Sequence, residues 1–319
     1  MIGIIGFGSW GTALSIACSH NKAHLIVWVR NKKQKYFFKK FFFNIHYTKK
    51  LKLKNNITLT MDNRVFFSKI DIVILAIPSF ILKNIIKKIC HEIKLHHKLV
   101  ISCKGFFKGI FFHKIIINKL KSKNIAVLTG PSFANEIAKK KNTSISLSSN
   151  NKFLLLDLLD SFHSRFFKVY CCNDLVGLQF SSIYKNILAF LSGMIASLNF
   201  GENARAVLIT YGLSEFKRFI IYINAKKSTL FTLGSIGDIV LTCTSKKSRN
   251  YDLGVFLGLG HNAKFLKLFL KKTVESTNNI TCLLFLSKKY NVSFLIPQAT
   301  KNVILNKNSC LTCVKNIIY

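Results

Sequence analysis

Gly6, Gly8 and Gly11 open the chain with the spacing Gly-x-Gly-x-x-Gly. In a strand-turn-helix setting the first glycine permits a tight turn. The second lets backbone amides approach a pyrophosphate, and the third lets the helix pack closely on the strand. A helix starting there presents free N–H groups and the positive end of its dipole to phosphate oxygens. Alone the spacing is weak; between an apolar stretch at 2–5 and a helical stretch from Thr12 it reads as a dinucleotide-binding turn. A second chemical signal is Lys185, set in "SSIYKNILAFLSG" within the most apolar stretch of the second half. An ammonium ion there either snorkels to water or is a functional amine whose pKa falls on desolvation into the range of a general acid or base. A third is Gly234 to Gly254, where Asp238, Thr242, Thr244, Ser248, Arg249 and Asn250 gather in a chain with few acids. Arg249 and Asn250 together suit a phosphate clamp, and the same composition also suits an ordinary polar loop.

The end of the second predicted strand bears on which dinucleotide is held. A site for the free ribose 2′-OH usually carries an acid there, yet the first acidic residue of this chain is Asp62. Arg30, Asn31, Lys32 and Lys33 stand in its place and favour a 2′-phosphate, hence NADP(H) over NAD(H), with NAD(H) still possible. Chance replacement of an acid in a lysine-rich chain is the other reading.

These groups need elements to hold them. Residues 2–5 read as a strand, Gly6 to Gly11 as a turn, Thr12 to Cys18 as a helix and His24 to Arg30 as a second strand, a βαβ unit. Ile70 to Ser79, Lys98 to Gly105 and Ile125 to Ala138 are further apolar runs that end in polar or Gly/Pro turns. Runs without polar alternation suit strands buried on both faces of a parallel sheet. Ligands bind beyond the carboxyl ends of such strands, the edge on which Pro78, Ser79, Lys104, Gly105, Gly130 and Ser132 are expected. From about Asn173 the stretches become too long for strands and apolar around most of their circumference, as in buried helices. The expected fold is therefore an α/β Rossmann domain at 1–173, doubly wound with a mostly parallel sheet, followed by an all-α domain at 174–319.

Composition narrows the classes. The chain has 319 residues, 48 Lys and Arg against 12 Asp and Glu, and a formal net charge of +36. That balance could attract nucleic acid. However, Lys, Asn, Ile and Phe are abundant together, as AT-rich coding produces, so basic runs such as Lys49 to Asn56 read as solvated faces and no specific nucleic-acid partner is expected. The Lys- and Phe-rich run Lys35 to Phe43 suggests an aggregation-prone chain. Nine scattered cysteines suit a reducing, cytoplasmic location, and Cys310 and Cys313 have neither a second pair nor a nearby His, so no metal site is expected. The apolar opening lacks a basic leader region, and Ile187 to Phe200 is shorter than the roughly 20 residues that span a bilayer.

Six blocks, in order, carry a resemblance over nearly the whole chain: "GFGSWGTAL" at the start, "CKGF" (Cys103 to Phe106), "GPSFANEIA" (Gly130 to Ala138), "YKNILA" (Tyr184 to Ala189), "GENARAVLIT" (Gly201 to Thr210) and "GDIVLTCTSKKSRNYDLG" (Gly237 to Gly254). Together they resemble the bacterial NAD(P)-dependent glycerol-3-phosphate dehydrogenase family. The resemblance implies reversible reduction of dihydroxyacetone phosphate to sn-glycerol 3-phosphate, a precursor for glycerophospholipid synthesis. It further implies cofactor contacts at Ser9, Trp10, Arg30, Ala134 and Glu275, with Lys104 and Arg249 near both cofactor and substrate. Substrate contacts are implied at Gly130, Ser132, Asp238, Ser248 and Asn250, and proton transfer at Lys185, with Lys104 assisting. A homodimer is also expected. Two departures stand out, Tyr211 where the family commonly has Arg and Val274 to Ile280 in place of a Val-Glu-Gly-x-Arg stretch. The alternatives are another two-domain Rossmann dehydrogenase, which needs a carboxylate clamp, and a degenerate non-catalytic relative that binds polyanions.

Overall fold

The computed structural model describes residues 1–20, 24–44, 47, 51–107, 109–261, 279–305 and 307–319. The chain divides into two compact units, Met1–Cys103 with Phe112–Leu175, and Lys104–Phe111 with Val176–Tyr319. The second unit thus includes a stretch, 104–111, that a single cut at 173/174 leaves in the first.

The first unit is built on an eight-stranded sheet. Its strands are β1 (Ile2–Ile5), β2 (Leu25–Trp28), β3 (Ile57–Thr60), β4 (Ile72–Leu75), β5 (Lys98–Ile101), β8 (Ile125–Thr129), β9 (Thr143–Ser149) and β10 (Phe167–Cys172). They lie in the order β10-β9-β8-β5-β4-β1-β2-β3. From β3 to β8 every pairing is parallel; β9 then runs antiparallel to β8, and β10 parallel to β9. This is the doubly wound Rossmann order with two strands added at one edge. All residues of β1, β2, β4 and β8 are buried, which is why their sequences show no polar alternation. The chain moves outward from β1 to β3 on one side and resumes at β4 on the other. The carboxyl ends of β1 and β4 therefore flank the switch point where such sheets bind ligands.

Helices α1 (Ser9–Ser19), α2 (Lys32–Phe41), α3 (Asn63–Phe67), α4 (Ser79–Ile89), α5 (Phe112–Leu120), α6 (Ala134–Ala138) and α7 (Lys152–Phe162) complete the unit. In α1 every residue from Gly11 to Ser19 is buried.

The second unit begins with a hairpin, β6 (Phe106–Phe107) and β7 (Ile110–Phe111), whose Phe106 and Phe111 join its apolar core. The rest is helical: α8 (Leu175–Ser197), α9 (Gly201–Ile220), α10 (Asp238–Thr244), α11 (Arg249–Gly258), a helix over 279–290, which is α12, then α13 (Leu295–Ile304) and α14 (Cys310–Ile318). Helix α8 is the central post. Every residue from Gly177 to Ile195 is buried, so the helix is covered all round, with Phe180, Ile183, Tyr184, Ile187, Leu188, Leu191 and Met194 forming one apolar stripe. Phe180 lies 5.1 Å from Phe219, and Phe219 4.2 Å from Phe294, between ring centroids. A Cβ at Gly193 would overlap the Tyr251 carbonyl and one at Gly254 the Phe190 carbonyl, so α8 and α11 touch backbone to backbone. That contact fixes the start of α11, where Ser248, Arg249 and Asn250 sit. Among the described residues no helix is long and apolar enough to cross a membrane.

Candidate active site

In the first unit, β1 runs straight into the glycine turn. Gly6 has φ +109°, in the region open to glycine, and a Cβ there would strike the Ala76 carbonyl beyond β4. A Cβ at Gly11 would overlap the Gly6 carbonyl, so this position lets α1 close on the turn. Among the described residues, nothing beyond its chain neighbours lies within 4 Å of a Cβ built at Gly8. Gly8 also caps α1 without a side-chain hydrogen bond, and the first turn of that helix holds no acid. Open space over bare amides at a helix start is what a pyrophosphate requires, so these residues fit a dinucleotide. Ser9 and the half-buried Trp10 begin α1.

The turn is braced from outside. Gly6 N donates to Trp28 O at 3.1 Å, tying the turn to β2. Buried Asn44 donates through Nδ2 to Phe7 O at 2.8 Å and to Thr12 Oγ1 at 2.9 Å. Sequence reasoning missed Asn44, because an Asn that follows a run of Phe gives no local sign of reaching back to residue 7. Arg30 is exposed just past β2, and Asn31 caps α2 by accepting from Lys33 N at 2.8 Å. Ala134 opens α6 and, like Trp10, packs on the first core. Gly130 and Ser132 follow β8, three strands from β1, with Ser132 Oγ donating to Gly130 O at 2.8 Å. Glu275 lies outside the described residues.

In the second unit, three segments distant in sequence meet. Lys185, only 3% exposed on α8, donates through Nζ to Asp238 Oδ2. Asp238 begins α10 directly after a π-helical turn, Leu233–Gly237, a local distortion common at functional sites. Lys104, half-buried ahead of the hairpin, completes the group and interacts with the Lys185 amine. Burial lowers the Lys185 pKa first, Asp238 opposes that shift, and the Lys104 charge adds to it, leaving the amine at about 8. An amine poised there changes charge near neutral pH and can serve as acid or base.

The surrounding bonds hold this geometry. Ser192 Oγ on α8 donates to Cys243 O on α10 at 2.6 Å, and Thr242 Oγ1 donates to Asp238 O at 2.7 Å. Beside Lys185, the Tyr184 hydroxyl donates to Glu215 Oε2 at 2.5 Å, and Glu215 Oε1 accepts from Leu295 N at 2.6 Å and Ile296 N at 3.2 Å. Glu215 therefore joins α8, α9 and the start of α13, and burial raises its pKa. Two buried hydroxyls, Ser181 one turn before Lys185 and Ser235 three residues before Asp238, have no hydrogen-bond partner among the described residues. Neither Glu215 nor these serines were predicted. An isolated acid in an amphipathic helix and small serines in apolar runs carry no sequence mark of their partners.

Ser248 is buried and caps α11, accepting from Tyr251 N at 3.4 Å, while Arg249 is exposed and Asn250 half-buried in the first turn. A cavity of about 260 Å³ lined by Ile195, Ala196, Asn199, Gly201, Glu202 and Arg205 contains none of these groups. The structure thus gathers Lys104, Lys185 and Asp238 in one cluster, and places Gly6, Gly8, Ser9, Trp10 and Gly11 where β1 passes into α1, with Arg30 just past β2.

The chain matches the family described as NAD-dependent glycerol-3-phosphate dehydrogenase, its N-terminus over residues 1–154 and its C-terminus over 174–315. It is similar to the NAD(P)+ glycerol-3-phosphate dehydrogenase of Staphylococcus aureus, with 31% identity covering 99% of this chain and 97% of that protein. The enzyme of the same name from Fusobacterium nucleatum is 32% identical, covering 97% and 93%. The solved structure of glycerol-3-phosphate dehydrogenase from Coxiella burnetii superposes with a TM-score of 0.92 at 28% identity, covering 99% of this chain and 98% of that one.

Proposed function

The chain belongs to the NAD-dependent glycerol-3-phosphate dehydrogenase family, and from that premise we propose that it reduces dihydroxyacetone phosphate to sn-glycerol 3-phosphate with NADPH, or more slowly with NADH. The observation that carries the proposal is the buried Lys185–Asp238 pair with Lys104 beside it.

NADPH or NADH, when bound, supplies the hydride that reduces the C2 carbonyl. The Gly6 to Gly11 turn with Ser9 and Trp10 would hold the pyrophosphate, and Arg30 would meet the adenosine 2′-phosphate. Lys185 in its ammonium form gives its proton to the carbonyl oxygen as negative charge grows there, and takes one back as a neutral amine in the oxidative direction. Lys104 stabilises that charge from a second side, an effect strengthened in a buried setting. Asp238 keeps enough of Lys185 protonated to act as acid. Ser248, Arg249 and Asn250 at the start of α11 would grip the phosphate end, Arg249 through its planar fork. Gly130 and Ser132 are assigned to the substrate, and Ala134 and Glu275 to the cofactor.

A cytoplasmic enzyme is part of the same reading, consistent with nine free thiols. So is a homodimer, which light scattering of the purified chain tests. The reaction is tested by mixing the protein with dihydroxyacetone phosphate and either cofactor and following loss of reduced-nicotinamide absorbance. Faster oxidation with NADPH upholds both the reaction and the role of Arg30. Equal or faster oxidation with NADH removes the Arg30 assignment, and a folded sample inert with both removes the reaction.

A further inference from the structure

Helix α2 presents a cluster of aromatic rings to solvent on a cationic surface, a feature that the dehydrogenase chemistry does not use. On the helix Tyr36 is 63% exposed and Phe41 38%, and Phe42 at its C-cap is 37% exposed. The helix is held to the first unit by buried Phe38, whose centroid lies 5.9 Å from that of Phe7 next to the glycine turn, and by Gln34, which donates through Nε2 to Phe7 O at 3.4 Å. Outward of that anchor the rings pack on one another. Phe37 and Phe41 stack at 6.0 Å, and Phe41 and Phe43 at 5.5 Å. Lys35, Lys39 and Lys40 are exposed among them, with Lys40 Nζ 5.3 Å from the Phe41 ring centre. No carboxylate precedes Asp62 in the chain.

From this arrangement we infer that α2 docks onto an anionic phospholipid surface. Lysine heads among exposed aromatic rings are the features that seat a short helix in the headgroup layer, with rings in the upper acyl region and cations on lipid phosphates. The charge disfavours a second copy of the same face, since it would set lysine against lysine. The stacking disfavours single-stranded nucleic acid, because bases need free ring faces and the central ring, Phe41, is already stacked with both Phe37 and Phe43. The docked state is peripheral, as a helix of this length cannot span the bilayer.

The test is co-sedimentation of the full chain with vesicles of equal parts phosphatidylglycerol and phosphatidylcholine, and with phosphatidylcholine alone. Binding is expected to the first only, weakening with salt. The Tyr36→Ser/Phe41→Ser variant should lose about tenfold in vesicle affinity for each ring that inserts, with turnover unchanged. A Phe41→Trp variant gives a direct reading that tolerates no loss of fold: its emission should shift to the blue on anionic vesicles and be quenched by brominated acyl chains. Three results overturn the proposal: no binding to anionic vesicles, equal binding by the serine variant, or no emission shift at position 41. It is equally overturned if the serine substitutions abolish binding to single-stranded DNA, or break a dimer seen by light scattering, while vesicle binding stays intact.

Discussion

The glycine turn proposed as a phosphate cradle and the amine cluster are assembled in opposite ways. The cradle is mostly backbone, contained in Gly6 to Gly11, and depends on what is missing, since added Cβ atoms at Gly6 and Gly11 would collide with carbonyl oxygens. The cluster is all side chain, and its members come from the stretch before β6, the middle of α8 and the start of α10. Lys185 and Asp238 alone are 53 residues apart. One site is set by local conformation. The other exists only once a helical core has folded around it, so damage to the two should look different.

The largest separation is expected at Lys185. Lys185→Ala should cost ~100- to 10,000-fold in turnover while NADPH affinity, read by fluorescence titration, stays within about twofold. Near-normal turnover would remove the proton-transfer role. Next in size is the bracing of the cluster. Glu215→Ala leaves the Tyr184 hydroxyl and two amides of α13 without their acceptor and should lower unfolding stability by about 3 kcal/mol in urea titration, with Glu215→Gln recovering much of it. The raised carboxyl pKa has its own signature: a group that holds its proton more tightly when folded contributes stability at low pH that is lost as pH rises through the shifted value. Alanine and glutamine variants of equal stability would show that Glu215 is not the joint described here.

A smaller but sharper contrast lies in the cradle. Among the described residues, a Cβ at Gly8 meets no atom within 4 Å beyond its chain neighbours. Gly8→Ala should therefore melt like the parent and yet weaken NADPH binding by about tenfold, because only a bound phosphate needs that space. Unchanged binding would mean that the phosphate does not approach Gly8. The smallest effect is a shift of a pH profile. Carbonyl reduction needs protonated Lys185 and should fall as pH rises through about 8, while alcohol oxidation rises over the same window. Asp238 holds the amine protonated, so Asp238→Asn should move both limbs to lower pH in addition to slowing turnover. Limbs that stay in place would mean that another group sets them.

The same contrast explains what could be read in advance. Strands buried on both faces leave unbroken apolar runs, and a glycine turn leaves its spacing, so β1, the turn, α1 and β2 were visible within the first thirty residues. Lys185 was visible because a charge in an apolar helix is an anomaly in itself. Its pairing with Asp238 was not, since nothing in either segment encodes the other's position. Asn44, Glu215, Ser181 and Ser235 were hidden for the same reason, as each matters through residues far along the chain or through a partner it lacks. The hairpin at 104–111 was also missed. Its strands are two residues each, too short for a period to show, so the pairing that carries Lys104 into the second unit left no sign although Lys104 itself was expected beside Lys185.

That hairpin bears on how such a gene can recombine. The backbone passes from one unit to the other three times, after Cys103, Phe111 and Leu175. A single crossover near codon 174 would join a new helical half to an old hairpin, placing inherited Phe106, Phe111 and Lys104 in a core and beside an amine with which they had no shared history. The two halves of this chain are therefore expected to travel through evolution as one linked block, and an experimental chimera would have to exchange residues 104–111 along with everything after 175.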